Sequence, residues 1–441
     1  MGTYLPNSVS EQKEMLDFLG LKSLDDLFSY LPKEVLLSRE LNIPPGKSES
    51  EVLKEMAALA GKNKIFPTIF RGAGAYRHYV PSLAKATASK ESFVTAYTPY
   101  QPEISQGVLQ SIFEFQTMIC ELMGLEASNA SVYDGATACA EAVAMCAERK
   151  RQIAFMSGAA HPDYVGAVKT YCYAAGRELV VVPEKDGRTD IEFLKANLKD
   201  DSACFILQSP NYYGLLEDAD AFAKVTKDAG AKFVLSMNPI YMAIGKTPGE
   251  CGADIGVAEG QPLGNSLGFG GPYLGLMTAT KDMARKLPGR IVGKTVDIEG
   301  KRAFVLTMQA REQHIRREKA TSSICSNQAL CAIAAGCYMA TMGPSGMKEV
   351  AKQCLSKAHY AAEKISAIPG FELAFKGEFF HEFVTKCPKD PKKVMAALEA
   401  QDILGGHVLT GKYENHILWC CTEVNTKEEI DKLAAILKEV A

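Results

Sequence analysis

The sequence predicts an α/β fold, a mainly parallel sheet covered by helices, with a smaller α+β region at its C-terminal end. From about residue 150 the short apolar runs IAFMSG, LVVVPE, CFILQSP, FVLSMNP, IGVAEG and LGLMTAT recur along the chain. Helix-like segments such as HPDYVGAVKTYCYAAG, TDIEFLKANL and ADAFAKVTKDAG lie between the earlier ones. That rhythm of strand, helix and strand is the pattern of parallel sheets, whose crossovers lay helices on both faces. With 441 residues and 47% hydrophobic positions, the chain can also bury a large core.

Taken in order, the first segments are helical. SLDDLFSYLP offers Ser23 as a cap and Pro32 as a stop, and SESEVLKEMAALAG runs from Ser48 to Gly61. Residues 1–90 are expected to form an N-terminal helical arm. RGAGAYRHYVPS brings Tyr76, Arg77, His78 and Tyr79 together, and TAYTPYQPEISQG carries Tyr97, Tyr100, Gln101 and Glu103 in a proline-punctuated loop. Two phenols there either bind a carboxylate and assist proton transfer, or cap an edge of the core with their hydroxyls in water. From Glu103 to Met123, Ile104, Val108, Ile112, Phe115, Ile119 and Leu122 recur at helical spacing up to Gly124.

YDGATACAEA puts Gly135, Ala136 and Thr137 at a helix entrance, either as free amides for an anion or as a tightly packed cap. In doubly wound sheets ligands sit beyond the carboxyl ends of the strands. Ser157 to His161, Ser209 to Tyr213, Asn238 to Tyr241 and the loop EGQPLGNSLGFGGPYLG are therefore the segments expected to hold a site. In QAREQHIRREKATSSICSNQAL, Arg311, Arg316, Arg317 and Lys319 precede Thr321, Ser322 and Ser323, which are expected to cap the next helix. That cationic cluster is either an anion site or a solvated basic face. Residues 91–330 are expected to form the large domain and 331–441 the small one.

A formal net charge of −3 gives no electrostatic footprint for nucleic acid or an anionic membrane. The 13 cysteines lack paired spacing, which argues for reduced thiols, no metal site and a cytoplasmic location.

YTPYQPEISQG, YDGATACAEA, GFGGPYLG, LPGRIVG and REQHIRREKATSSICSNQAL together resemble the N-terminal half of the glycine cleavage system P-protein family. The likeness spans nearly the whole chain, and the length fits the N-terminal chain of its two-chain versions. It implies the fold type I architecture of pyridoxal 5'-phosphate (PLP) enzymes, with a mainly parallel seven-stranded sheet. It also implies decarboxylation of glycine on PLP and transfer of the aminomethyl group to the lipoyl arm of the H-protein.

Such chemistry needs a lysine for the imine and an acid against the pyridine nitrogen. Aligning the glycine-rich loop with the family's catalytic half puts Gln261 near the lysine position and Asn238 near the acid, and Thr247 to Thr280 contains no lysine. The resemblance therefore implies that PLP belongs to a homologous lysine-bearing partner, in an α2β2 assembly. Tyr97, Tyr100 and Gln101 are then candidates to line the substrate end of the partner's pocket. Gly270, Gly271, Thr321 and Ser322 are candidates to reach the partner's cofactor phosphate or shape the contact. His161 falls where this fold often stacks a ring on the cofactor, and is expected to be a relic or a helix cap. Two other expectations stay open: a self-sufficient PLP enzyme using Lys246 or Lys281, and a non-catalytic assembly or regulatory subunit.

Overall fold

A computed structural model describes residues 7–37 and 39–440, and groups the chain into two compact units, Met1–Ile65 and Phe66–Ala441. In the first unit, helices Val9–Leu19 and Glu49–Ala60 each start at a serine whose hydroxyl accepts the backbone N–H of a glutamate three residues on. That glutamate's carboxylate accepts the serine N–H in return, so two otherwise orphaned donors are satisfied. Gly20 closes the first helix with φ 71°. Ser23 does cap a helical segment, but a 3₁₀ turn, Leu24–Phe28. Neither α-helix buries a residue, and Phe18, Leu53 and Ile65 stand exposed.

The second unit is built on a seven-stranded sheet. Its strands are β1 (Ala127–Ser128), β2 (Ile153–Ser157), β3 (Leu179–Val182), β4 (Ser202–Gln208), β5 (Lys232–Ser236), β6 (Ile255–Glu259) and β7 (Gly275–Ala279). Their spatial order is β1-β7-β6-β5-β4-β2-β3. Strands β2 to β6 are mutually parallel, and β7 runs antiparallel between β6 and β1. The run LGLMTAT is thus the one that reverses. Alternation along β4 sends Phe205 into a core with Phe115, Phe233 and Leu235, and Ile206 into a second core with Ala138, Met156 and Val257. Both faces of β4 are covered, which explains its apolar run from Ala203 to Leu207.

The expected Glu103–Met123 helix starts later, at Gln106, because Pro102–Ile104 forms a separate 3₁₀ turn. It ends at Gly124 with φ 68°. The stretch Thr321–Ser323 does not cap the following helix, which begins at Ala329 after Gln328. Instead the Ser322 hydroxyl accepts the Ile324 N–H at 3.2 Å, a local turn that competes with helix entry.

Helix Ala329–Ser366 is broken at Gly343 (φ 61°), just before Pro344. Ala332, Ala335 and Tyr338 pack into the large core, whereas Ala358, Ala361 and Ile365 join a separate C-terminal core around Trp419. That core backs a four-stranded antiparallel sheet of Glu372–Leu373, Glu382–Lys386, His416–Cys420 and His407–Val408. Thr68–Ile69 pairs parallel with Ile403–Leu404, so the segment from residue 68 onward is laced to the C-terminal end of the chain.

Candidate functional site

Beyond the carboxyl ends of β2, β4, β5 and β6 the chain leaves a cavity of about 30 Å³, lined by Tyr76, His161, Tyr164, Asn238, Glu259 and Glu382 among others. That is room for little more than a water molecule. The helix entrance Gly135–Thr137 meets the cavity-lining Glu259, and its anion seat is already taken. Gly135 N–H donates to Glu259 Oε2 at 2.9 Å, and Asp134 accepts the Thr137 N–H at 2.7 Å. Glu259 Oε1 also accepts from Gln261 N (2.8 Å) and Leu274 N (3.2 Å). Desolvation outweighs these three donors and pushes the Glu259 carboxyl up to about 7.

The expected lysine position is equally occupied. Gln261 is buried, its Oε1 accepts the Tyr76 N–H at 2.9 Å, and its Nε2 donates to Tyr76 O (2.9 Å) and Asn265 O (2.8 Å). Its amide thus ties down the segment Gly72–His78, which lies across the strand ends. Tyr76 hydroxyl donates to Glu382 Oε2 at 2.7 Å, and Ala73 N–H to Glu382 Oε1 at 2.7 Å. Burial lifts the Glu382 carboxyl to about 7. Asn238 accepts from Ile240 N at 2.9 Å, holding a turn. His161 is the helix cap, its Nδ1 accepting from Asp163 N at 3.1 Å, while its Nε2 meets Ala73 O at 2.9 Å.

PLP does not fit these residues. No lysine lines the cavity. A phosphate at Gly135 would face the Glu259 carboxylate, and a Cβ at Gly135 would already come within 2.3 Å of the Tyr164 hydroxyl. Lys246 is elsewhere, paired with Asp220 at 2.5 Å on the surface, and Lys281 follows the antiparallel β7, at the amino ends of the parallel strands.

The other candidates fall into three places. Tyr97 lies at a second cleft, of about 190 Å³, whose wall includes Arg290, Ser326 and Asn327, and Tyr100 packs against that arginine. Arg290 Nη2 donates to the Tyr100 hydroxyl at 2.5 Å, and its guanidinium stacks 4.7 Å from the ring centroid. Cys325 Sγ is 3.5 Å from the same hydroxyl, and these contacts lower its thiol pKa. Gln101 is exposed and starts the turn at Pro102. Gly270 and Gly271 form an exposed loop tip beside Phe269, closed by Gly271 N–H to Gly268 O at 2.8 Å. Thr321 lines a hollow with Tyr171, and Ser322 bonds to the buried Glu141, whose carboxyl desolvation raises to about 7. Arg311 is partly buried and donates to Gly289 O at 2.7 Å, whereas Arg316, Arg317 and Lys319 are exposed.

Glu259, Glu382 and Arg290 were missed by motif reasoning. Arg290 did leave a signal, a single charge between Leu287 and Ile291 in LPGRIVG. A partly buried trio of His78, Cys354 and Glu423 brings ligand-type atoms within 4.8 Å of one another. Its dominant contact is an imidazole–carboxylate pair at 2.7 Å, backed by Tyr79 N–H on the other carboxylate oxygen.

Comparison with known proteins agrees with this architecture. Residues 2–437 match the family described as glycine cleavage system P-protein. The probable glycine dehydrogenase (decarboxylating) subunit 1 of Moorella thermoacetica is 49% identical, covering 99% of each chain. The crystal structure of a glycine decarboxylase (P-protein) of the glycine cleavage system, in inhibitor-bound form, superposes with a TM-score of 0.93 at 42% identity over the full length of both chains. A sphingosine-1-phosphate lyase from Burkholderia pseudomallei, 15% identical, shares the fold with a TM-score of 0.66 over 93% of this chain and 94% of its own. The fold is PLP-dependent transferase fold type I, and the chain belongs to the glycine cleavage system P-protein family.

Proposed function

We propose that this chain is the N-terminal subunit of a two-chain glycine decarboxylase, active only with a homologous lysine-bearing partner. The observation that carries this is the filled site: Glu259 and Gln261 occupy the seats that a cofactor phosphate and an imine lysine would need. The assembled enzyme, an α2β2 tetramer in the cytoplasm, would release CO2 from glycine and pass the aminomethyl group to lipoylated H-protein, with PLP held covalently by the partner. This chain would contribute walls rather than the reacting group: Tyr97, Tyr100 and Gln101 at the substrate end, and Gly270, Gly271, Thr321 and Ser322 at the contact. Tyr97, Tyr100 and the loop tip at Phe269 are exposed, as surfaces awaiting a second chain would be. The apolar side chains left bare on residues 7–65 support the same reading, since monomers rarely expose so many together. Within the chain, we retain residues 1–90, 91–330 and 331–441 as arm, large domain and small domain, the last supported by a separate core around Trp419, which Phe70 and Leu215 also join.

The test is reconstitution. The chain alone should be colourless and release no CO2 from carboxyl-labelled glycine. Adding the second chain should restore turnover, and borohydride should then fix the cofactor to a lysine of that second chain. Label on Lys246, Lys281 or any other lysine of this chain would overturn the proposal. The assembly-only alternative requires Tyr100→Phe to leave turnover unchanged in an intact complex.

A further inference from the structure

Arg290 is 2% exposed, yet among the described residues no carboxylate lies within ion-pair distance of it. Its Nη2 has only the Tyr100 phenol and the Cys325 thiol as partners, and its Nε and Nη1 have none. A guanidinium stays charged at any physiological pH, so an unpaired one held out of water is a large uncompensated cost. Most buried arginines are offset by a carboxylate or a set of carbonyls. This one lines the cleft of about 190 Å³ together with Tyr97, Ser326 and Asn327, against apolar walls that include Ile112 and Ile333. Asn327 has already committed its Nδ2 to Ser131 Oγ at 2.8 Å, which fixes that wall in place. The rim is looser, since Tyr97 is 80% exposed and can swing aside for an entering group.

We infer that this cleft is a carboxylate-binding site, with Arg290 as its countercharge and Tyr100 as the side chain that stacks on the arginine and accepts its hydrogen bond. A carboxylate entering between Tyr97 and Asn327 would find the missing partner of the guanidinium in a low-dielectric setting, where a charge-assisted pair is strongest. The volume admits a small carboxylic acid or a single acidic side chain and excludes anything the size of a nucleotide. Two sources share this chemistry: the carboxylate of glycine, and an aspartate or glutamate of the second chain. Naming either source rests on the proposed function; the site itself does not.

The experiment has one arm free of that dependence. Thermal unfolding of the full chain is followed with rising sodium acetate, against sodium chloride at equal ionic strength, for wild type, Arg290→Met and Arg290→Lys. Acetate should stabilise the wild type, act weakly on Arg290→Lys, which keeps the charge without the planar donors, and leave Arg290→Met unmoved. Acetate acting equally on wild type and both variants, or on none, overturns the inference whatever the enzyme assays give. In the reconstituted enzyme, loss of one charge-assisted pair corresponds to on the order of 10- to 100-fold. A rise of that size in the KM for glycine, with kcat held or raised, assigns the site to the substrate. An arginine on a carboxylate about to leave as CO2 stabilises the ground state, so its removal should not slow the chemical step. The same loss in affinity for the second chain, with KM unchanged, assigns it to an acidic side chain there. Reconstitution that fails for every form, wild type included, counts against the proposed function, and the acetate titration still decides the site.

Discussion

Replacing Glu259 with glutamine tests whether a buried, titrating carboxylate is held at the Gly135 N–H. The folded-state carboxyl is raised from 4.5 to about 7, so between those values the folded chain holds a proton that the unfolded chain has released. Stability from this group is therefore greatest below 4.5 and falls as the pH rises toward 7. Integrated from near pH 5 to near pH 8, a shift of this size removes about 2.5 kcal/mol. Glutamine cannot ionise, so Glu259→Gln deletes that slope. It also turns an N–H toward the donor Gly135 N, at a cost of about 1–3 kcal/mol. The variant should thus be less stable than wild type near pH 5 and should close the gap, or overtake, near pH 8, with the mutational difference moving by about 2.5 kcal/mol. Urea unfolding at both pH values measures it. A constant difference between the two pH values would refute the assignment of a buried, titrating carboxylate at Gly135.

Further outcomes follow from the same structure. Gly249→Ala would push its Cβ to 1.8 Å from the Gly124 carbonyl oxygen, backbone that cannot yield, and should lower the melting temperature sharply, by more than about 3 kcal/mol in stability. Thr385→Val leaves the Trp419 indole N–H, now 2.9 Å from Thr385 Oγ1, without its partner inside the C-terminal core, and should cost about 1–3 kcal/mol by denaturant unfolding. A chain starting at Phe66 should still unfold cooperatively, because neither α-helix of the preceding unit buries a residue, and should lose affinity for the second chain in a pull-down with the full-length form as control.

What the sequence made legible was local. The caps at Ser48 and Gly61, the αL stop at Gly124 and the apolar runs of β2 to β6 are written in neighbouring residues and appear as expected. The direction of β7 was not legible, since an apolar run has no orientation until its neighbours are known. Tyr97 and Tyr100 could be singled out from their loop, but the arginine that holds Tyr100 is 190 residues away in sequence. The plug at Glu259 draws its three donors from residues 135, 261 and 274, and Tyr76 meets a carboxylate 306 residues downstream. Gln261 could be recognised as not a lysine; that its amide stitches Tyr76 to the strand ends could only be seen once both segments were placed.

The carboxylate at Gly135 also bears on how the chain withstands scarcity. An enzyme that binds its vitamin-derived group only when folded gains stability by mass action as the vitamin accumulates and loses it as supplies fall. Here the equivalent ligand is covalently part of the polypeptide, present at a fixed and very high effective concentration. On the proposed function, in which the second chain holds PLP, starvation for the vitamin should leave this chain's own stability unchanged.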